Sequence, residues 1–204
     1  SYSAMIQKMQ RDLVWQASHD PATGLANRKA FFRAIRRAWL RSQDVEGYVL
    51  GIMQFDITLP AGEAAAVEIR TPILREFSQL LPEHLKGQAH LARAGESGLA
   101  FWCEAADSAA AEAQAETLLR TVATQPQEID GVRYTVHPAI GLMWTADCLT
   151  PEIYYDNANA ACATARENGT PVVQYRSETD EGGVLALAQW AHVLTGILAD
   201  NQLS

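Results

Sequence analysis

The chain has 204 residues, a formal net charge of −8 and 48% hydrophobic residues. The length predicts one domain of about 150 to 180 residues with appendages, and the hydrophobic content is ample for its core. The acidic balance disfavours non-specific binding to nucleic acid or to anionic membranes. The three cysteines stand far apart in no metal-ligand spacing, so we expect a reducing, cytoplasmic setting without disulfides. No apolar run approaches the roughly 18 residues of a membrane span, and no membrane contact is expected.

Residues 4–18 carry apolar side chains at spacings of three and four, which is typical of an amphipathic helix. Such a helix either packs on its own domain or ends a longer helix that carries a signal from an upstream domain, paired as a coiled coil. Two heptads are too few to distinguish these alternatives. The apolar stripe consists of Ile6, Met9, Leu13 and Ala17.

A second helix is predicted over residues 28–41. Pro21 and Gly24 end the first helix, and Asn27 is a suitable N-cap for the next one. The helix is expected to bury Phe31, Phe32, Ile35 and Trp39 and to expose Arg33, Arg36, Arg37 and Arg41.

The rest of the chain alternates between apolar strand patterns and amphipathic helix patterns. Strands or hairpins are predicted at 48–55, 91–102, 127–129 with 133–144, and 171–175, and helices at 62–82, 109–123 and 150–169. Pro72 is expected to bend or split its helix, and Asp130-Gly131 is a hairpin turn signal. Thr150 and Pro151 are expected to start the last helix, which ends near Gly169. The helix at 62–82 is expected to bury Val67, Ile69, Ile73, Leu74, Phe77 and Leu81. The helix at 109–123 is expected to bury Ala113, Leu118, Leu119 and Val122. This order indicates an α+β fold with helices covering a mixed sheet.

The predicted hairpin at 91–102 has a tip of unusual composition. Gly95 and Gly98 bracket Glu96 and Ser97, and glycine tolerates the positive φ angles of a tight reversal. The tip exposes one acidic and one hydroxyl side chain, so it is either a candidate site or only a turn.

The run from His19 to Arg28, His-Asp-Pro-Ala-Thr-Gly-Leu-Ala-Asn-Arg, resembles the opening signature of GGDEF domains, the diguanylate cyclase family. The predicted order of elements fits this family through about residue 175. The resemblance implies a palm-like, ferredoxin-related nucleotide-cyclase fold with a mixed central sheet flanked by helices. It also implies a place in cyclic di-GMP signalling, in which two GTP molecules are joined with the help of Mg²⁺.

The family draws its Mg²⁺ ligands from an Asp at the end of the first strand and from acidic residues in the turn that names it. Here Gln54 falls at the strand position, and Gly95-Glu96-Ser97-Gly98-Leu99 stands in place of Gly-Gly-Asp-Glu-Phe. Ser97 and Gly98 therefore replace both acids. Glu96 replaces the second glycine, where its side chain should crowd the guanosine.

Two remaining carboxylates do not restore this ligand set. Asp56 lies two residues past Gln54 on the same strand face, and Glu96 stands one residue before the usual acid. A slip of one residue reverses every side chain of a strand, so Glu96 would need a rebuilt turn. We therefore expect no catalytic residue and no metal site, and any binding of Mg²⁺ and GTP is expected to be weak.

The family's other binding positions are also altered. Arg166 replaces a phosphate-binding lysine and keeps its charge, whereas Thr170 replaces a second cation and does not. The positions that read guanine meet Gly62 and Thr71. The segment 86–89 matches the product-inhibition motif without its Asp, so no inhibitory site is expected.

The sequence after residue 176 reads as a polar linker followed by an amphipathic helix over 184–200. One interpretation is that this helix packs back on the same domain. The other rests on its resemblance to the helix that joins a GGDEF domain to a following EAL phosphodiesterase domain. The resemblance thus implies an excised piece of a GGDEF-EAL protein with three segments. These are a signalling helix at 1–18, a degenerate GGDEF domain at 19–176, and the linker and helix at 177–204.

The preferred interpretation is a catalytically inactive GGDEF domain with a regulatory or scaffolding role, which relays a signal to a fused phosphodiesterase domain. The expected partners are that EAL-type domain and an upstream sensory domain, and a homodimer is a further candidate. Three alternatives stay open: a GTP-binding sensor without turnover, an active diguanylate cyclase, and a dimerisation module alone.

Overall fold

The computed structural model describes residues 1–42 and 44–175, so the predicted linker and helix at 177–204 lie outside the described residues. Five α-helices and six strands make up the described fold. The helices are α1 Tyr2–Gln16, α2 Arg28–Arg41, α3 Val67–Leu80, α4 Ser108–Thr124 and α5 Pro151–Asn168, and a 3₁₀ turn follows α3 at Leu81–His84. The strands are β1 Tyr48–Thr58, β2 His90–Arg93, β3 Gly98–Glu104, β4 Gln127–Ile129, β5 Val132–Thr145 and β6 Val172–Tyr175.

The sheet has the strand order β2-β3-β1-β5-β4, and β6 lies beside β5. Strand β1 is central and pairs antiparallel with both β3 and β5. In these registers Gln54 lies opposite Gly98 on one side and Ala139 on the other. The pairing therefore brings the end of β1 next to the β2–β3 hairpin tip, as the predicted order of elements implies.

Strand β1 buries side chains on both faces, which explains its nearly continuous apolar sequence. On one face Met53 and Phe55 join the core formed with α3 and α4, and Phe55 stacks on Phe77. On the other face Tyr48 stacks on Trp102 and meets Trp39 of α2 edge-on. Helices thus cover both faces of the sheet, and the predicted α+β class is confirmed.

Most predicted elements are confirmed because their signals are local. Asn27 caps α2 through a hydrogen bond from the Ala30 amide to its Oδ1, at 3.0 Å. The turn at Asp130 and Gly131 joins β4 to β5, and Gly169 ends α5 in the left-handed conformation. Thr150 occupies the cap position of α5, but its side chain makes no capping hydrogen bond there.

The helix predicted at 62–82 was placed too early and ended too late. Backbone hydrogen bonds from Leu59 to Glu63 and from Ala65 to Ile57 fold the preceding residues into a turn instead. Val67 is consequently the first helical residue and is 59% exposed, contrary to its predicted burial. Helix α3 continues through Pro72 without being split.

Helix α4 buries Gln114 rather than the predicted Ala113, which is exposed. The Gln114 side chain accepts a hydrogen bond from the Lys86 amide at 3.2 Å and donates one to the His84 carbonyl. A polar side chain can be buried when its groups are paired in this way, and apolar periodicity alone does not predict such a residue.

Helix α1 is formed as predicted, but none of its residues is buried. Its apolar residues Ile6, Met9 and Leu13 are 37%, 57% and 64% exposed. The structure therefore disagrees with the alternative in which α1 packs closely on its own domain. Among the described residues, no helix is both long and apolar enough to cross a membrane.

Removal of residues 1–16 is expected to change the free energy of unfolding by less than about 1 kcal/mol, because the segment contributes no buried side chain. Urea unfolding of the chain with and without these residues measures the difference. A loss of several kcal/mol would contradict the assignment of α1 as a helix without a stabilising contact in the domain.

Candidate functional site

The β2–β3 hairpin tip is held closed by its own backbone and by the end of β1. The Ala94 amide donates to the Gly98 carbonyl at 2.9 Å, and the Phe55 amide of β1 donates to the Ser97 carbonyl at 2.8 Å. Gly95 has a φ of +65°, as predicted for a tight reversal. The tip therefore has a defined position relative to the last residues of β1.

The sequence suggested a positive φ at Gly98, but its φ is not positive. A glycine is required at this position because there is no room for a side chain. A β carbon at residue 98 would lie under 3.0 Å from the Gln54 side chain and from the Ala94 carbonyl oxygen. Because the second of these is backbone, any larger residue would require a rearranged turn. The present tip is shaped around the absence of a side chain at position 98.

Gln54 uses its side-chain amide to bind the tip. Its Nε2 donates to the Ala94 carbonyl at 3.3 Å, and the residue pairs with Gly98 across the β1–β3 ladder. The amide carries no charge and can offer a cation only a carbonyl oxygen. Gln54 thus links the end of β1 to the hairpin without adding a charge there.

Arg93 also binds the hairpin tip. Its guanidinium donates to the carbonyls of Gly95 and Glu96, both at 2.8 Å, and to Asp20 Oδ2 at 3.1 Å. The side chains of the Arg93–Asp20 pair are only 16% and 20% exposed. Asp20 Oδ2 also accepts from the amide and hydroxyl of Thr23, at 2.8 and 2.6 Å.

These contacts lower the pKa of Asp20. Burial alone would raise the pKa of this carboxyl, but the hydrogen bonds from Thr23 and the charge of Arg93 outweigh it. Asp20 is therefore charged throughout the neutral range, and its ion pair with Arg93 is maintained there.

Asp56 and Arg166 form an ion pair beside the tip, between β1 and α5. Arg166 donates from Nη2 to Oδ1 at 2.8 Å and from Nε to Oδ2 at 3.4 Å, so both carboxylate oxygens are contacted. The two side chains are 56% and 46% exposed, respectively. Two of the five guanidinium N–H groups contact the carboxylate, so the Asp56 charge partly offsets that of Arg166.

Glu96 projects into solvent with its side chain 85% exposed. Arg70 of α3 lies 4.0 Å away, Nη1 to Oε2, across the face of the hairpin. An exposed pair at this distance contributes little to stability. Its position is nevertheless informative, because the Glu96 carboxylate stands between the tip and α3.

Solved structures with the same arrangement of helices and strands were found for this chain. Diguanylate cyclase SiaD of Pseudomonas aeruginosa, in complex with its activator SiaC, superposes with a TM-score of 0.62 at 20% identity, covering 85% of this chain and 67% of that chain. The FimX GGDEF domain of the same organism has a TM-score of 0.60 at 22% identity, covering 77% and 98%.

A third structure contains the coiled coil and GGDEF domain of DgcB from Caulobacter crescentus, in complex with c-di-GMP. It has a TM-score of 0.60 at 15% identity and covers 85% of this chain and 95% of that chain. The chain has the fold of a GGDEF domain. Comparison of the sequence with family models and with curated proteins found no match.

Within this GGDEF fold the residues at the implied Mg²⁺ position do not fit the ion. Mg²⁺ requires hard oxygen ligands in near-octahedral geometry, usually including carboxylates. Gln54 and Ser97 are neutral, Gly98 has no side chain, and Asp56 is engaged with Arg166. Among residues 1–42 and 44–175, no group of three or more His, Cys, Asp or Glu side chains could hold a metal ion.

The segment 86–89 of the GGDEF fold, which precedes β2, is fixed by internal contacts. The Lys86 amide donates to Gln114, and the position of a β carbon at Gly87 is filled by the Glu104 carboxylate. Glu104 thus occupies space next to the position at which the resemblance implies product binding.

Arg93 shapes the site but is not among the predicted site residues. Its signal was available, since an arginine stands at the end of a strand directly before the Gly95 turn. Only the tertiary structure shows that its partner is Asp20, 73 residues away. Arg166 was named as a phosphate contact, but its pairing with Asp56 was not foreseen.

Proposed function

We propose that this chain is a non-catalytic GGDEF domain that acts as a regulatory or scaffolding module in cyclic di-GMP signalling. The observation that carries the proposal is the Asp56–Arg166 ion pair beside the neutral Gln54. In this arrangement Asp56, the remaining carboxylate on β1, is paired with Arg166. The side chain expected to hold a phosphate group is committed to the same pair.

The energetic argument concerns charge in the transition state. Joining two GTP molecules concentrates negative charge on a phosphoryl group, which cations must neutralise. Losing the carboxylates that position Mg²⁺ removes several kcal/mol of this stabilisation, and each 1.36 kcal/mol lowers the rate about tenfold. The substitutions at Gln54, Ser97 and Gly98 are therefore sufficient to reduce cyclase activity by orders of magnitude.

Nucleotide binding is opposed by the same residues. A phosphate at Arg166 would lie close to the Asp56 carboxylate, which would repel the anion and offset part of the attraction. Glu96 adds a second negative charge at the tip, where the resemblance implies close approach of the guanosine. A GTP sensor without turnover remains the second candidate because Arg166 retains a cation at the phosphate position.

The exposed face of α1 supports a partner on the N-terminal side. Tyr2, Ile6, Met9 and Leu13 recur at the spacing of a heptad seam and are all exposed. The occupants we propose are an upstream sensory domain or the same helix of a second copy. On the C-terminal side we propose a fused EAL-type phosphodiesterase domain, on the sequence pattern of residues 184–200.

The cysteines support a cytoplasmic location. Cys103, Cys148 and Cys162 are all buried and free, as is usual for cysteines in a reducing compartment. Burial raises the pKa of Cys103 and of Cys148 to about 12, which makes these thiols unreactive.

The purified chain is expected to form no cyclic di-GMP from GTP and Mg²⁺. Calorimetric titration with GTP and Mg²⁺ measures binding, and chromatography of the same mixture detects product, with an active diguanylate cyclase as positive control. Binding without product would favour the GTP sensor, and loss of that binding in Arg166→Ala would confirm the phosphate contact. Formation of cyclic di-GMP would overturn the proposal.

A further inference from the structure

Helix α1 is joined to the domain by a junction loop, residues 17–27, which also contacts the hairpin tip. Because no residue of α1 is buried, this loop sets the direction of the helix. The loop adds a backbone bridge between His19 and Ala26, and Ala26 forms a second bridge with Ala92 of β2. The junction is thus built onto the edge of the sheet that carries the tip.

Asn27 joins the two helices at this junction. Its side-chain Nδ2 donates to the Ala17 carbonyl at the end of α1, at 2.9 Å, while its Oδ1 accepts from the Ala30 amide at the start of α2. Its backbone amide also donates to the Ser18 carbonyl at 2.9 Å. One side chain therefore caps α2 and holds the end of α1 at the same time.

The same loop holds the tip through Asp20 and Arg93. Asp20 is fixed by its backbone bond to the Leu25 carbonyl at 2.7 Å, and its carboxylate orients the Arg93 guanidinium. Arg93 in turn donates to both Gly95 and Glu96. Its own backbone amide donates to the Ala26 carbonyl at 3.1 Å, one residue before Asn27.

We propose that Asn27, Asp20 and Arg93 couple the direction of helix α1 to the order of the hairpin tip, so that a partner which redirects α1 loosens or tightens residues 94–98. The coupling specifies how the proposed relay would work, and its biological role rests on that proposed function. A change in the direction of α1 is then transmitted through these hydrogen bonds and alters the order of the tip. The tip responds to the signal although it carries no catalytic acid.

Asn27→Asp is a sharp test, because aspartate caps a helix as well as asparagine does but cannot donate to the Ala17 carbonyl. Hydrogen exchange of the full chain is expected to accelerate at least about threefold at the amides of Ala94 and Phe55, which close the tip. Exchange at Phe101 in the core of β3 is expected to stay unchanged. The matched control is Asn159→Asp, on the exposed face of α5.

A second variant tests the path itself. Asp20→Asn removes the charge that orients Arg93, and it is expected to accelerate exchange at the tip by itself. If the signal passes through Asp20, adding Asn27→Asp to this variant produces no further acceleration at Ala94. Accelerations that multiply in the double variant, or an unchanged tip in Asn27→Asp alone, would overturn the coupling.

The measurement requires no nucleotide, so its outcome is separate from that of the activity assay. Formation of cyclic di-GMP would overturn the proposed function while the exchange data still decided the coupling. If the chain forms no product and Asn27→Asp leaves exchange at the tip unchanged, only the coupling is overturned.

Discussion

Replacing Gly141 with alanine is expected to lower the free energy of unfolding by about 2 to 3 kcal/mol. A β carbon at this position of β5 would lie under 3.0 Å from the Ala158 carbonyl oxygen and the Cys162 amide nitrogen, both of which are backbone atoms of α5. A side chain could rotate away, but helical backbone yields only if the whole helix shifts. Urea unfolding of the variant and the parent chain at pH 7 measures the loss.

The control is Asn159→Ala on the exposed face of the same helix, which is expected to change stability by less than about 0.5 kcal/mol. A loss of that small size in Gly141→Ala would show that α5 moves freely on β5. The consequence reaches the site, because α5 carries Arg166. A displaced helix would also lengthen the Arg166–Asp56 contact.

Arg93→Met is expected to lower the free energy of unfolding by about 2 kcal/mol, while it keeps most of the apolar stem. The change leaves the Asp20 carboxylate without its counter-charge at 20% exposure, and two tip carbonyls lose their donor. The value is set below that of a fully buried pair because both side chains retain some contact with water. Urea unfolding at pH 7 measures it, with Arg33→Met on the exposed face of α2 as control.

The same pair predicts a dependence on pH. The pKa of Asp20 is lowered in the folded chain from its ordinary value of 3.8, so its contribution is present above that value. It is lost as the pH falls through the lower pKa of the folded state. The stability difference between the parent chain and Arg93→Met should therefore be constant near neutral pH and shrink as the pH falls below about 4. A difference that does not shrink at such acid pH would contradict the role of the Asp20 charge.

The position of the candidate site could be predicted from the sequence because a motif defines it. The resemblance aligned Gln54 with the end of the first strand and residues 95–99 with the turn, and β-pairing does bring Gln54 next to Gly98. The Asp56–Arg166 pair joins residues 110 positions apart, and no local pattern indicates it. Whether Arg166 is available for a phosphate depends on this contact.

Local signals decided which elements form. The Asn27 cap, the Asp130-Gly131 turn and the glycine after α5 are each read from a few neighbouring residues, since backbone hydrogen bonding and φ preferences act over such distances. Burial on a helix face is less local. Gln114 is buried because it bonds to the segment before β2, and apolar periodicity selected Ala113 instead.

By itself, the sequence determined the α+β class, the succession of elements and the neutral residues at the implied Mg²⁺ position, because helix and strand periods and residue identities are properties of short stretches. Only the tertiary structure decided that Arg166 pairs with Asp56, that Arg93 and Asp20 hold the tip, and that no residue of α1 is buried. Those outcomes depend on which distant charges meet when the sheet forms, and Coulombic and hydrogen-bonded contacts act only at close range in space.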